Sequence, residues 1–332
     1  MRTHLLDRLS FRQLVPASVV LAVIGLAILS GCNRQPEAPP PTVTSADTLG
    51  LPDALASRLD AEGLGAYVLD RAGDAYALVE VPSDTGNVLL QLVDLRKATV
   101  SQILGPVAEG GTDDSHFHPT AASPMVELME MADVVRQQAA DDRLLAVLNG
   151  AFFETPGEPT SQIAYPIAEN GRVVTGGSSP YGPGRPGHES ARWGQPLRAL
   201  GLADTVVHIA DYDPATGAPL DAPAYAEAIV SLAPDAHPSR IATRFHVLGA
   251  LDGDGNGTTE LLLIATSDGR STIEAPQALL TRFGVAPEHQ LVLDGGASVF
   301  VWNRRAGTLH QPTAAGGHDP QHLPHALTIR LR

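Results

Sequence analysis

The chain has 332 residues, a formal net charge of -15, 43% hydrophobic and 5% aromatic residues, and one Cys. That apolar share rules out a disordered chain and is ample for a core, which with so few aromatics must be built from Ala, Val, Leu and Ile. The acidity excludes a protein that embraces nucleic acid, which needs clustered Lys and Arg. A single Cys excludes an intramolecular disulfide framework and a cysteine zinc site.

Arg2, Arg8 and Arg12 precede an apolar run at 15–29. The run is shorter than the roughly 20 apolar residues that span a bilayer, and it fits the hydrophobic region of a signal peptide. It ends in Leu29-Ser30-Gly31-Cys32, which resembles a bacterial lipobox, and the only Cys sits where the lipid would be attached. The bland alternative is an ordinary signal peptide or anchor with an incidental Cys. The expectation is a signal peptide over 1–31 and a lipid-anchored protein of the bacterial cell envelope, periplasmic or outward-facing. Asn33 after Cys32, in place of an Asp retention signal, favours the outer membrane over the inner. Residues 32–50 carry four Pro and few apolar side chains, an extended tether. One folded domain is expected over 51–332.

Within it, 65–71 and 75–81 read as a hairpin about Ala72-Gly73-Asp74, and 88–95 as a further strand. Residues 106–123 are loop-like and carry His116 and His118 with a single residue between them. Over 124–140, Met125, Val126, Leu128, Met129, Met131, Ala132, Val135 and Ala139 recur near helical spacing. The continuous apolar run 144–148 predicts a buried strand that stops at Asn149-Gly150. Strands follow at 245–251 and 259–266, about an acidic Gly-rich turn at 252–258. Residues 274–284 predict a helix, with Pro276 in its first turn and Gly284 at its end. Then come a buried strand at 290–294, the Gly295-Gly296-Ala297-Ser298 loop, and strands at 299–302 and 325–331. Hairpins with a few amphipathic helices predict an α+β fold: mixed or antiparallel sheets with a few packed helices, in a single catalytic-type domain.

Three segments in this order resemble the phosphodiester glycosidase family, whose namesake removes N-acetylglucosamine from a phosphodiester of mannose 6-phosphate. Asn149-Gly150-Ala151-Phe152-Phe153 is similar to the family's NG-x-FF segment. Ala265-Thr266-Ser267-Asp268-Gly269-Arg270-Ser271 is similar to its DGR-S stretch before a helix, and Leu293-Asp294-Gly295-Gly296-Ala297-Ser298 to its LDGGGSS-like loop. The resemblance covers roughly residues 120–331. It departs at Ala297, where a third Gly is usual, and at Val299, where a second Ser is common. Thr243-Arg244-Phe245-His246 matches an Arg-Thr pair only in part. The resemblance implies an envelope hydrolase that cleaves a sugar-1-phosphodiester or related glycosidic linkage, with an envelope glycan or sugar phosphodiester as its partner. The substitutions Ala297 and Val299 favour a second reading, a non-catalytic lipoprotein that holds polysaccharide during assembly.

The residues carry chemistry of their own. Asp294 ends a buried strand before two glycines, where a carboxylate can be tuned for acid/base work or can simply cap a turn. Gly295 and Gly296 offer backbone amides, and Ser298 a hydroxyl, to sugar or phosphate oxygens. Asn149 can fix a sugar hydroxyl or only turn a hairpin. Glu154 is a candidate second carboxylate, since glycoside hydrolysis normally uses two. Arg244 and His246 alternate onto one strand face as a candidate phosphate clamp, while His325 is a weaker candidate. Asp252, Asp254 and Asn256 look like the first half of a calcium loop. The bidentate Glu of that pattern should fall at Leu263, and Glu260 comes too early, so a plain acidic turn is favoured. No cofactor is otherwise expected.

Overall fold

The computed structural model describes residues 67–313 and 321–332, apart from Asp84, 109–116, Pro119, Glu158, 179–195, 221–224 and 238–240. Contacts divide the chain into Met1–Pro40 and Pro41–Arg332, and every described residue belongs to the second unit. The expected signal peptide, Cys32 and the tether lie outside the described residues, as does His116.

The largest sheet runs in the order Tyr67–Ala72, Tyr76–Ser83, Gly86–Asp94, Leu261–Ser267, His246–Leu251, Gln290–Leu293, Glu227–Leu232, Ile167–Glu169, Arg172–Thr175. Leu197–Ala203 also pairs with Glu227–Leu232 and carries Val206–Tyr212 on its other side. A second sheet runs Gly307–His310, Val301–Asn303, Leu144–Asn149, His325–Leu331, Ala98–Leu104. Smaller pairings join Met125–Glu127, Thr160–Ile163 and Phe153–Gly157, and His322–Leu323 with Met129–Glu130.

Side-chain alternation along the strands explains the layering. Leu262 and Ile264 enter a core shared with Ala146, Leu148, Leu327 and Ile329 of the second sheet. Their neighbours Leu261, Leu263 and Ala265 enter a core on the opposite face, with Leu279 and Leu280 of the helix Glu274–Arg282 and Phe283 that caps its end. A third cluster sets Met131 and Val134 of the helix Met131–Gln138 against Leu144, Val147, Phe300 and Ala326. The layers are therefore helix, small sheet, large sheet, helix. Strands buried on both faces must be apolar throughout, which is why Leu261–Ser267 and Leu144–Asn149 stand out in the sequence.

The α+β expectation is overturned. The protein is a β-rich, antiparallel fold with 49% strand, and only two α-helices occur among the described residues. The apolar spacing over 124–140 misleads because it spans three elements: Met125–Glu127 and Met129–Glu130 pair as strands, and only Met131–Gln138 coils. The helix at 274–284 forms as Glu274–Arg282, with Pro276 buried in its first turn and Gly284 at φ 91° after its end.

Candidate active site

Register brings the motif residues to one end of both sheets. His246 pairs with Thr266 on one side and with Leu293 on the other, so the strand end before Asp294 lies beside His246. The second sheet reaches the same place through Asn149, whose strand Leu144–Asn149 ends there. The Asp294 amide donates to the Gly150 carbonyl at 3.0 Å.

Asn149 is buried and uses its whole side chain. Its amide nitrogen donates to the Asp294 carbonyl at 2.9 Å, and its Oδ1 accepts from the Phe300 amide at 2.8 Å. The same oxygen lies 2.7 Å from His246 Nε2. An amide oxygen only accepts, so Nε2 carries the hydrogen, and Nδ1 accepts from the Thr266 hydroxyl at 2.8 Å. Burial, helped by His310, lowers the His246 pKa to about 3. His246 is thus a neutral link between the sheets, with both ring nitrogens occupied inside the protein. Arg244, two residues earlier, precedes the strand and is half-buried, donating to the Gln311 carbonyl at 2.6 Å.

Asp294 is set differently. Ser298 and the Gly295 amide hydrogen-bond its carboxylate, yet burial dominates and pushes its pKa up to about 7. Its Oδ2 is closed off from solvent and has no hydrogen-bond partner among the described residues. The loop after it turns at Gly296, φ 66°, whose amide donates to the Arg244 carbonyl at 2.8 Å. Ala297 sits within the short 3-10 turn Gly296–Ser298 and is not among the positive-φ residues, so no third glycine is needed. Val299 is fully buried in the core between the sheets.

Around Arg244 two further polar atoms are enclosed without a partner: His310 Nε2 and Ser271 Oγ. Burial and the Arg244 charge lower the His310 pKa to about 4. The Ser271 carbonyl accepts from the Thr243 amide at 3.2 Å, which ties Ser271 to the same segment. Beyond Gln311 lies a cavity of about 170 Å³, lined by Met131, Val135, Phe300 and Trp302 among others.

The remaining candidates fall elsewhere. Glu154 lies on the Phe153–Gly157 strand, where burial raises its carboxyl, and no hydrogen bond or ion pair links that carboxyl to Asp294 among the described residues. Phe152 packs with Tyr165 and His237. His325 is buried, accepting from the Ala151 amide at 2.9 Å and lying 3.2 Å from Gln102 Oε1. The 252–258 turn closes the far end of the hairpin that begins at His246. Sequence reasoning missed His310 and Gln311. Neither stands in a motif, and both arrive through the Gly307–His310 strand and the segment that follows it.

The sequence matches no known family model and no curated protein. Among solved structures, the chain is similar to the catalytic domain of zebrafish N-acetylglucosamine-1-phosphodiester alpha-N-acetylglucosaminidase, auto-inhibited by its pro-peptide. The two share 17% identity over 80% of this chain and 87% of that one, with a TM-score of 0.47. It is also similar to a hypothetical protein from Synechocystis, with 12% identity over 80% of this chain and 64% of that one, and a TM-score of 0.44.

Proposed function

We propose that the protein is a hydrolase of the cell envelope that cleaves a sugar-1-phosphodiester or a related glycosidic linkage, with Asp294 as its acid/base group. One observation carries the reading: a carboxyl raised to about 7, with an enclosed unpartnered oxygen, opens a loop whose Gly296 amide is tied to the backbone carbonyl of the half-buried Arg244. A carboxyl that titrates near neutrality can take a proton from water and return it. Arg244 offers the positive charge that a phosphate requires.

A phosphodiester suits this set better than an ordinary glycoside. A phosphate monoester is a good leaving group and needs little protonation, so one base and one cation suffice where glycosidases normally use two carboxyls. Water, losing a proton to Asp294, attacks the anomeric carbon. The bond from that carbon to the phosphate oxygen breaks, and the phosphate monoester leaves toward Arg244. Ser298 and Gly295 orient the carboxylate, while Asn149 fixes the strand end that carries it. The order of the three sequence segments supports the same reading. Ala297 has a place in the short turn and Val299 in the core between the sheets.

The envelope assignment rests on the lipobox-like Leu29-Ser30-Gly31-Cys32. Cys32→Ser should abolish metabolic labelling of the protein by a fatty acid, and unchanged labelling removes the anchor. The activity is tested with aryl phosphodiesters of sugar 1-phosphates, following free sugar and aryl phosphate. Release by the wild type and not by Asp294→Asn is expected; no release from a panel of common sugars overturns the assignment.

A further inference from the structure

The Glu260 that falls too early for a helix-flanked calcium loop is brought into the acidic turn by the hairpin itself. Leu251 pairs with Leu261 at the end of the strands His246–Leu251 and Leu261–Ser267, which sets Glu260 directly opposite the start of the turn. One carboxylate oxygen from each of Asp252, Asp254 and Glu260 lies within 4.8 Å of the others. Asn256 is not part of this group: its Oδ1 accepts from the Thr258 amide at 2.8 Å, within its own loop.

Glu260 separates this cluster from an ordinary exposed acidic turn. It is only 2% exposed, and its Oε2 is enclosed with no hydrogen-bond partner. Its Oε1 accepts from the Gly253 amide at 3.1 Å. Leaving a buried carboxylate oxygen unpaired is costly unless a cation or donor meets it.

The nearby cation is Arg96, and it is already engaged. Its Nε and one terminal nitrogen fork the Asp94 carboxylate at 2.9 Å each. Its other terminal nitrogen reaches Asp254 at 3.0 Å, while Glu260 Oε1 stands 3.7 Å from the terminal nitrogen that already binds Asp94. One guanidinium therefore faces three carboxylates, Asp94, Asp254 and Glu260, and none of its contacts reaches Asp252. The Asp252 carboxylate accepts the amides of Gly255 and Gly257 at 2.7 Å each, which holds it at the mouth of the turn.

We infer that Asp252, Asp254 and Glu260 form a binding site for a divalent cation of the calcium type, closing the end of the hairpin opposite Asp294. The donors are all hard carboxylate oxygens on a turn with solvent on one side, which leaves room for water and backbone carbonyls to complete six to eight ligands. Calcium accepts such an irregular shell, whereas magnesium demands a near-ideal octahedron. Three carboxylates with an arginine nearby match the weaker class of sites, with Kd on the order of 10⁻⁴ to 10⁻³ M.

The test uses the folded protein freed of metal by chelation, with calcium chloride alone as the probe. Calcium at 10 mM, about ten or more times Kd, should raise Tm by about 3 °C or more, because it binds only the folded state. Isothermal titration should show saturable heat at about one ion per chain. Equal ionic strength of sodium chloride should not reproduce the shift, and magnesium should give less of it. Asp254→Asn, at an exposed position, should fold normally and weaken calcium binding by about tenfold, and Glu260→Gln should do the same or more. No calcium-dependent change in Tm and no heat in the wild type overturns the site. So does a shift that sodium chloride matches or that survives unchanged in both variants.

Discussion

At Asp294 burial works against hydrogen bonding within one carboxyl, and burial prevails. The unfolded chain releases this proton near pH 4, but the folded protein holds it until about 7. Between those values the folded state binds more protons, so the group's contribution to stability falls as pH rises. Asp294→Asn removes this titration while keeping the shape. The variant should lose turnover by about a hundredfold or more, yet lose less Tm than the wild type between pH 5 and pH 8. In the wild type, kcat/KM should rise with pH through about 7, the profile of a base that must be ionised. A folded Asn variant with wild-type turnover on a confirmed substrate would sink the catalytic role. Asp294 and Asn149 were legible in the sequence because each ends a continuous apolar strand at a glycine. His310 was not, since its place beside Arg244 depends on the distant strand Gly307–His310.

At the scale of elements, the turn after Leu144–Asn149 shows why its glycine matters. A Cβ on Gly150 would lie 2.0 Å from His325 Nδ1, the atom that accepts the Ala151 amide. His325 opens the neighbouring strand His325–Leu331, and Gln102 behind it donates to Glu227 at 2.7 Å and to the Ala168 carbonyl at 2.8 Å. The turn is therefore braced from the small sheet through to the large one. Gly150→Ala must displace the imidazole and leave a buried amide unmet, a loss of about 2 kcal/mol or more. Chemical denaturation should register it as a lower midpoint with little change in slope, and a stability equal to wild type would show that the imidazole moves freely. The strand before this turn was readable because it is buried on both faces. Seven strands between Phe153 and Leu232 were not assigned from sequence. Leu197–Ala203, with Ala, Gly and Arg among its seven residues, has weak strand propensity and is held by two neighbours. Pairing decided these segments, and pairing is not local.

Among the described residues, the two sheets meet at their ends through neutral polar groups: buried Asn149 and His246 on one line, and on another buried His325 with the half-buried Gln102, which reaches Ala168 and Glu227. This arrangement fixes how the fold responds to acid. Burial holds both histidines at about 3, against about 6.5 in an unfolded chain. Below pH 6.5 the unfolded chain takes up protons that the folded protein refuses. The stability these groups provide is therefore complete above about 6.5 and drains as pH falls toward 3. At pH 4 the loss is about 3 kcal/mol for each histidine, while Asp294, with its raised pKa, acts in the opposite direction. His325→Gln keeps a hydrogen-bonding side chain and removes one of the two titrations. That variant should melt below the wild type at pH 7.5, but the gap should narrow or reverse by pH 4.5. Thermal melts at the two pH values decide it. A gap that widens in acid would mean that His325 becomes protonated in place, and that the join between the sheets accommodates a charge.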